Sequence, residues 1–360
     1  MCPAPDPTPS IENRVALWRD FYARRNGRPL LGFFLGSEYP LRRYPASAAL
    51  PERRALRPED FEVEAYLDDH DALFEAHEEC GGDFIWSADA FWGIQWIECL
   101  CGLEMVCNHA SGNLHFKRTN AFRGAEDIPE FDPGSGWAQL AVEFLRKGAA
   151  RAAGRYPLGT TRMRGISDML SALYGPEDFI YALIDQPEAV REVCARLTDL
   201  YIAFAKLQLA NIPAFHGGIG SFYYSNWAPA GTVWHQEDAA VMLSPTLYRE
   251  HIREWDTKIV GSFDHNIMHL HSVGFRPLDD YLAMGFTAIE MHIESGGPTA
   301  EELFETHRKI LRETPLLIWG DLTEADFEWI FTRLPPQGLA VNAVVRSPEE
   351  AQSIYRRFKA

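Results

Sequence analysis

The sequence predicts an α/β fold, a (β/α)8 TIM barrel, on three observations. Short apolar or alternating runs recur between helical runs along the chain, the pattern of a parallel sheet with crossover helices. Eight such runs can be counted between Leu30 and Val344. Metal-capable side chains close the later ones: His269 and His271, then Glu290 and His292, then Asp321. In a closed parallel barrel those strand ends and the loops after them form the active-site face. A chain of 360 residues suits such a barrel with insertions.

Residues 1–10 read as a disordered tail, lacking the basic and apolar regions of a signal peptide. Residues 11–360 read as one domain with an N-terminal helical extension. Ile11–Asn26 is an amphipathic helix with Val15, Leu17, Trp18 and Phe21 to one side. Leu30–Leu35 is the first strand, and the loop after Gly36 carries Arg42, Arg43 and Tyr44. Residues 66–80 form an acidic helix, Asp83–Trp86 the second strand, and Asp89 lies just beyond it. Residues 91–132 break the alternation with Trp92, Trp96, Cys99-Leu-Cys101 and β-like pieces at Met105 and Leu114–Phe116. They read as a rim insertion, because a structureless loop of that length is improbable. Trp137–Ala153 is a helix and Pro157–Thr161 the third strand, which leads through Arg162 and Arg164 into another helix. Pro187–Leu209 is a long helix. The aromatic, glycine-rich 211–231 is a second rim element, with His216, Tyr223, Tyr224 and Trp227.

The fourth strand region is 234–241, and Ser244-Pro245 opens the helix after it. Asn266–His271, Phe286–His292 and Leu316–Trp319 follow as strands five to seven. Thr299 and Glu302 form a capping box that starts a helix running to Glu313. Thr323–Leu334 and Ser347–Lys359 are the last helices, with the eighth strand, Gly338–Val344, between them.

Hydrophobic residues at 46% and charged residues at 24% are the proportions of a globular chain with a sizeable core. A net charge of −17 weighs against nucleic acid as a partner. No apolar run reaches the roughly 18 residues of a membrane span. The six cysteines are irregularly spaced, which points to reduced thiols in the cytoplasm and no disulfides. Cys99-Leu-Cys101 could be a metal or redox pair, against the commoner case of buried inert thiols.

His269 and His271 share one face of their strand, as do Glu290 and His292 on the next. With strands about 4.8 Å apart, inward-facing ends would gather His269, His271, Glu290 and His292 around a divalent ion such as zinc. The bland alternative makes His269 an interior hydrogen-bonded residue and pairs Glu290 with an arginine such as Arg276. Asp321 is a site residue or a cap ahead of Thr323. Glu237 and Asp238 reach substrate or are solvated loop charges. Arg42, Arg43, Arg162 and Arg164 grip carboxylates or make surface ion pairs. Trp92, Tyr223, Tyr224, Trp227 and Trp234 wall a pocket or anchor long loops.

The runs MRGISDMLSALYG with PEDFIYALIDQPEAV, then HQEDAAVMLSPTLYREHI, LHSVG and IWGDL resemble the uroporphyrinogen decarboxylase superfamily. That group includes the zinc-dependent, corrinoid-linked methyltransferases. The resemblance spans roughly residues 28–358 and implies a (β/α)8 barrel with its site at the strand ends. His271-Ser272-Val273-Gly274 stands where those methyltransferases carry His-x-Cys-Gly, and no cysteine follows Cys194. The implied function is methyltransferase-like group transfer to a small organic substrate, with His271, Glu290, Asp321 and Asp89 as catalytic groups. Zinc and a corrinoid protein are the implied cofactor and partner, and a homodimer is left open. The alternative is cofactor-independent decarboxylation of a porphyrinogen-like polycarboxylate. There the four arginines would hold the acid groups, and Asp89 would stabilise a protonated intermediate; Glu237, Asp238 and Trp227 join the arginines as substrate-binding candidates in general. A third reading is a non-catalytic ligand-binding barrel.

Overall fold

The buried apolar runs pair with one another in the computed structural model, which describes residues 9–118, 121–221, 226–273 and 277–359. The strands are β1 (Leu30–Leu35), β2 (Glu104–Asn108), β3 (Asn113–Lys117), β4 (Gly218–Ser221), β5 (Asn226–Pro229), β6 (Thr232–Gln236), β7 (His265–His271), β8 (Ala288–Ile293), β9 (Leu316–Gly320) and β10 (Leu339–Val345). Six of them form one parallel sheet in the order β1-β10-β9-β8-β7-β6. Its registers set Gln236 beside His269, His271 beside His292, and His292 beside Trp319. The polar strand ends therefore gather along one rim. Fourteen α-helices lie among the described residues, the longest of them Pro187–Leu209.

The sheet is not closed, so the eight-stranded barrel expected from the sequence is shown only as a six-stranded parallel α/β sheet. The expected second and third strands are extended segments held by single links. Asp83 N donates to Leu31 O at 2.8 Å, one parallel bridge joins Ala88 to Leu158, and Gly220 N donates to Leu158 O at 2.8 Å. A Cβ on Gly159 would stand 2.5 Å from Gly220 O, so these backbones crowd together at one point instead of running alongside. The fourth strand is β6, ending at Gln236 and not at 241, because Glu237 turns away to cap the helix Ile166–Tyr174.

The rim insertion 91–132 holds the short helix Trp96–Leu100 and the antiparallel β2–β3 hairpin. The second rim element supplies the antiparallel β4–β5 pair. Residues 1–8, Tyr223, Tyr224, Gly274 and Arg276 lie outside the described residues. Ser10 belongs to the first helix, Ile11–Tyr22, whose Asn13 N it accepts at 3.3 Å. The box at Thr299 forms, with Thr299 N on Glu302 Oε2 at 2.9 Å, although the α-helix proper begins at Phe304. Cys80, Cys99, Cys101, Cys107 and Cys194 are buried and free.

Three histidines away from the strand ends tie the fold to pH. Burial pushes His70, His77 and His307 down from 6.5 to about 4. The cause is desolvation of the charged imidazolium in each, and for His307 it acts alone. The unfolded chain takes up those protons first, so stability is full above about pH 6.5 and is lost as pH falls towards 4. At pH 5 the loss is on the order of 2 kcal/mol per histidine. Buried acids raised in the fold, such as Asp89, act in the opposite sense, so the histidine contribution is read by difference. The urea midpoint of His307→Gln should fall less between pH 7 and pH 5 than that of the wild type, and an identical pH dependence would show that this ring is not buried neutral.

A candidate metal centre at the strand ends

Alternation along β6 sends Trp234 and Gln236 to one face and His235 to the other. The first face, with His269 and His271 of β7 and His292 of β8, lines a cavity of about 240 Å³. Glu38, Trp92, Arg162, Asp238 and Trp319 complete much of its wall.

Within it, His269 Nε2 and His271 Nε2 face each other at 3.2 Å. Asp238 stands beside both, its Oδ2 3.5 Å from His271 Nε2 and its Oδ1 4.0 Å from His269 Nε2. The far side of each ring is anchored on a carboxylate. His269 Nδ1 pairs with Glu290, which is fully buried, and His271 Nδ1 pairs with Glu294 at 2.5 Å. Glu294 is itself held by Ser272 N at 3.2 Å and by the Ser272 hydroxyl. His292 stacks on Trp319 with ring centroids 4.1 Å apart.

With each Nδ1–H directed at a carboxylate, both Nε2 lone pairs converge on one point beside a third carboxylate. That arrangement calls for a cation. Two nitrogens on one tetrahedral zinc lie about 3.3 Å apart, given Zn–N bonds of about 2.0–2.1 Å, so the 3.2 Å spacing fits. Carboxylate-anchored imidazoles are the usual support of such a centre, fixing tautomer and ring orientation. Without an ion, a proton meets the same demand. Burial disfavours charge on His271, but its bonds to Asp238 and Glu294 raise it to about 10. Burial and the charge of His271 push His269 down to about 3, and burial foremost does the same to His292. Against their own burial, Asp238 and Glu294 are both held at about 2, chiefly by hydrogen bonding to His271.

The structure thus brings together His269, His271, His292, Asp238, Arg162, Trp92 and Trp234 from the sequence-based set. Glu290 lies behind His269 as its anchor. The others are not part of the cavity lining. Glu237 points to the opposite side of β6, where it accepts Ser167 N at 2.8 Å. Arg164 is paired with Glu98 at 2.6 Å and Asp168 at 3.3 Å. Arg42 donates to Ala110 O at 3.2 Å, and Arg43 to Leu35 O at 2.6 Å. Trp227 donates to Phe215 O at 2.9 Å, against the first helix. Asp321 is exposed beyond β9, and Thr323 caps the next helix without it. Asp89 is buried near Arg162, and burial raises it to about 7.

Glu294 and Glu38 were not singled out from the sequence. Glu294 was within reach of the same rule: Glu290, His292 and Glu294 continue one alternation past the end of β8.

No family model matches this sequence, and no curated protein matches it. A methyltransferase from Methanosarcina mazei superposes with a TM-score of 0.63, covering 96% of this chain and 98% of that one, at 13% identity. At that identity the likeness is one of fold.

Proposed function

We propose that this chain is a metal-dependent enzyme that transfers a methyl or similar group to a heteroatom of a small organic molecule. The frame for it is a (β/α)8-like arrangement with the site at the strand ends. The observation that carries this reading is the convergence of His269 Nε2, His271 Nε2 and Asp238, with both Nδ1 atoms anchored on Glu290 and Glu294. Those three residues would hold a divalent ion of the zinc class. Such an ion supplies Lewis acidity, lowering the pKa of a thiol or similar group and exposing it as a nucleophile. Glu290 and Glu294 keep the two imidazoles aimed. Trp92, Trp234 and Trp319 exclude water from the cavity, and Arg162 offers a guanidinium to an acidic part of the substrate. The fold shared with a methyltransferase supports the reaction class, and a corrinoid protein is the methyl carrier that the sequence resemblance implies.

Decarboxylation of a porphyrinogen-like polycarboxylate finds little support. Arg42, Arg43 and Arg164 are directed at other partners, and about 240 Å³ falls below the ordinary range for drug-sized ligands.

The test is metal analysis of the purified protein with a methyl-transfer assay on small thiols. At least one equivalent of zinc, with activity lost on chelation and restored by zinc, is the expected result. A fully active protein free of metal would refute the proposal.

A further inference from the structure

Behind β6, on the side away from the cavity, lies a second convergence that the proposed reaction does not use. His235, Glu237 and Asp256 have fully buried side chains. His235 Nε2 lies 3.4 Å from Asp256 Oδ1 and 3.6 Å from Glu237 Oε1. Among the described residues His235 Nε2 has no hydrogen-bond partner although it is out of reach of solvent, and the Asp256 carboxyl faces the Glu237 carboxyl, to which it bonds only if one of the two carries a proton. Their remaining polar atoms are anchored. The Tyr201 hydroxyl lies 3.3 Å from Trp234 O and 3.1 Å from His235 Nδ1, so donating to the carbonyl leaves its oxygen to accept Nδ1–H. Asp256 Oδ2 accepts from the Tyr248 hydroxyl at 2.6 Å, Glu237 Oε2 accepts from Ser167 N at 2.8 Å, and Glu237 Oε1 accepts from Ile166 N with its second lone pair left over.

That tautomer leaves a bare imidazole lone pair facing two buried carboxylates. The charges around it deepen the demand for a cation. The other charged group that acts on all three is the Asp168 carboxylate, which pairs with Arg164 at 3.3 Å. An isolated buried charge is strongly destabilising unless it is paired or ligates a metal.

We propose that His235, Glu237 and Asp256 bind a second divalent metal ion, of the zinc or manganese class, in the layer between β6 and its covering helices. One imidazole with two carboxylates is a donor set for such borderline ions. The three ligand atoms lie within 4.8 Å of one another, as ligands of one ion must. Asp256 comes from the helix Arg253–Val260, so the ion pins that helix to β6. Glu237 also adjoins Asp238, so the ion fixes the backbone from which Asp238 reaches the cavity. This site is structural and stands independently of the reaction proposed above.

The experiment is metal stoichiometry of three proteins expressed in zinc-supplemented medium: wild type, Asp256→Asn and His271→Ala. Two equivalents in the wild type and one in each variant support the proposal. Should Asp256→Asn fold poorly, zinc X-ray absorption on His271→Ala gives a second reading, in which one imidazole and carboxylate oxygens are expected. One equivalent in the wild type, kept in Asp256→Asn and lost in His271→Ala, overturns this site and leaves the cavity site standing; a proton shared by Glu237 and Asp256 then balances the charge. The opposite pattern, in which only Asp256→Asn loses metal, supports this site and removes the cavity one. A metal-free wild type overturns both.

Discussion

His271→Ala should weaken metal binding in the cavity by more than about 100-fold, and lose the group-transfer activity with it, while the protein stays folded. The imidazole contributes one of three converging ligand atoms, and a lost ligand should cost more than the roughly 10–100-fold typical of a lost supporting group. The fold should tolerate the change because each carboxylate that loses the ring keeps another donor. Glu294 keeps Ser272, and Asp238 keeps the Gln236 side chain. The ring is about one-third exposed, so little apolar area is lost and the stability cost should be on the order of 1 kcal/mol. Glu294→Gln gives the graded comparison, with a smaller loss of affinity and the ligand still in place. Metal content and melting temperature measured on the same samples decide the matter. A large drop in melting temperature with unchanged metal content would make His271 a structural residue.

The sequence disclosed the parts of this arrangement that rest on short-range rules. Two-residue alternation put His269 and His271 on one face, and the Ser244-Pro245 and Thr323 signals placed helix starts within a residue of where they occur. Alternation could not say how deep a side chain lies. Glu290 and His269 are register partners, yet Glu290 is buried behind the ring it anchors, and the carboxylate beside the two Nε2 atoms comes from Asp238, past the end of β6. Asp238 and Glu237 adjoin in sequence and face opposite sides of one strand. Which of them meets the cavity depends on where β6 ends, a question of tertiary packing. The arginines show a similar limit. All four follow strands, but whether a guanidinium turns to substrate or to Glu98 depends on partners 66 residues away.

Asp83→Ala should be the most damaging single change to the fold, costing on the order of 3–5 kcal/mol, while leaving cavity metal binding intact. Asp83 is fully buried and accepts four bonds: Arg28 at 2.6 and 2.8 Å, Leu31 N at 2.9 Å and the Tyr355 hydroxyl at 3.0 Å. Its carbonyl takes the Trp18 indole at 3.1 Å. One residue thus ties the first helix, β1 and the last helix, Pro348–Phe358, together. Truncation leaves a buried amide at Leu31 without its acceptor and a half-buried guanidinium without its counter-ion, and both raise the energy of the folded state alone. Leu31 is near the start of β1, at the end of the sheet away from His271, where side chains serve stability more than chemistry in parallel α/β folds. Urea unfolding with metal analysis of the folded protein tests both halves. The expected outcome is the reverse of His271→Ala: a strongly lowered midpoint with cavity metal at its wild-type level. A stable Asp83→Ala protein would show that hydrophobic packing alone holds these elements, and one that is folded but metal-depleted would show that the two ends of the sheet are coupled.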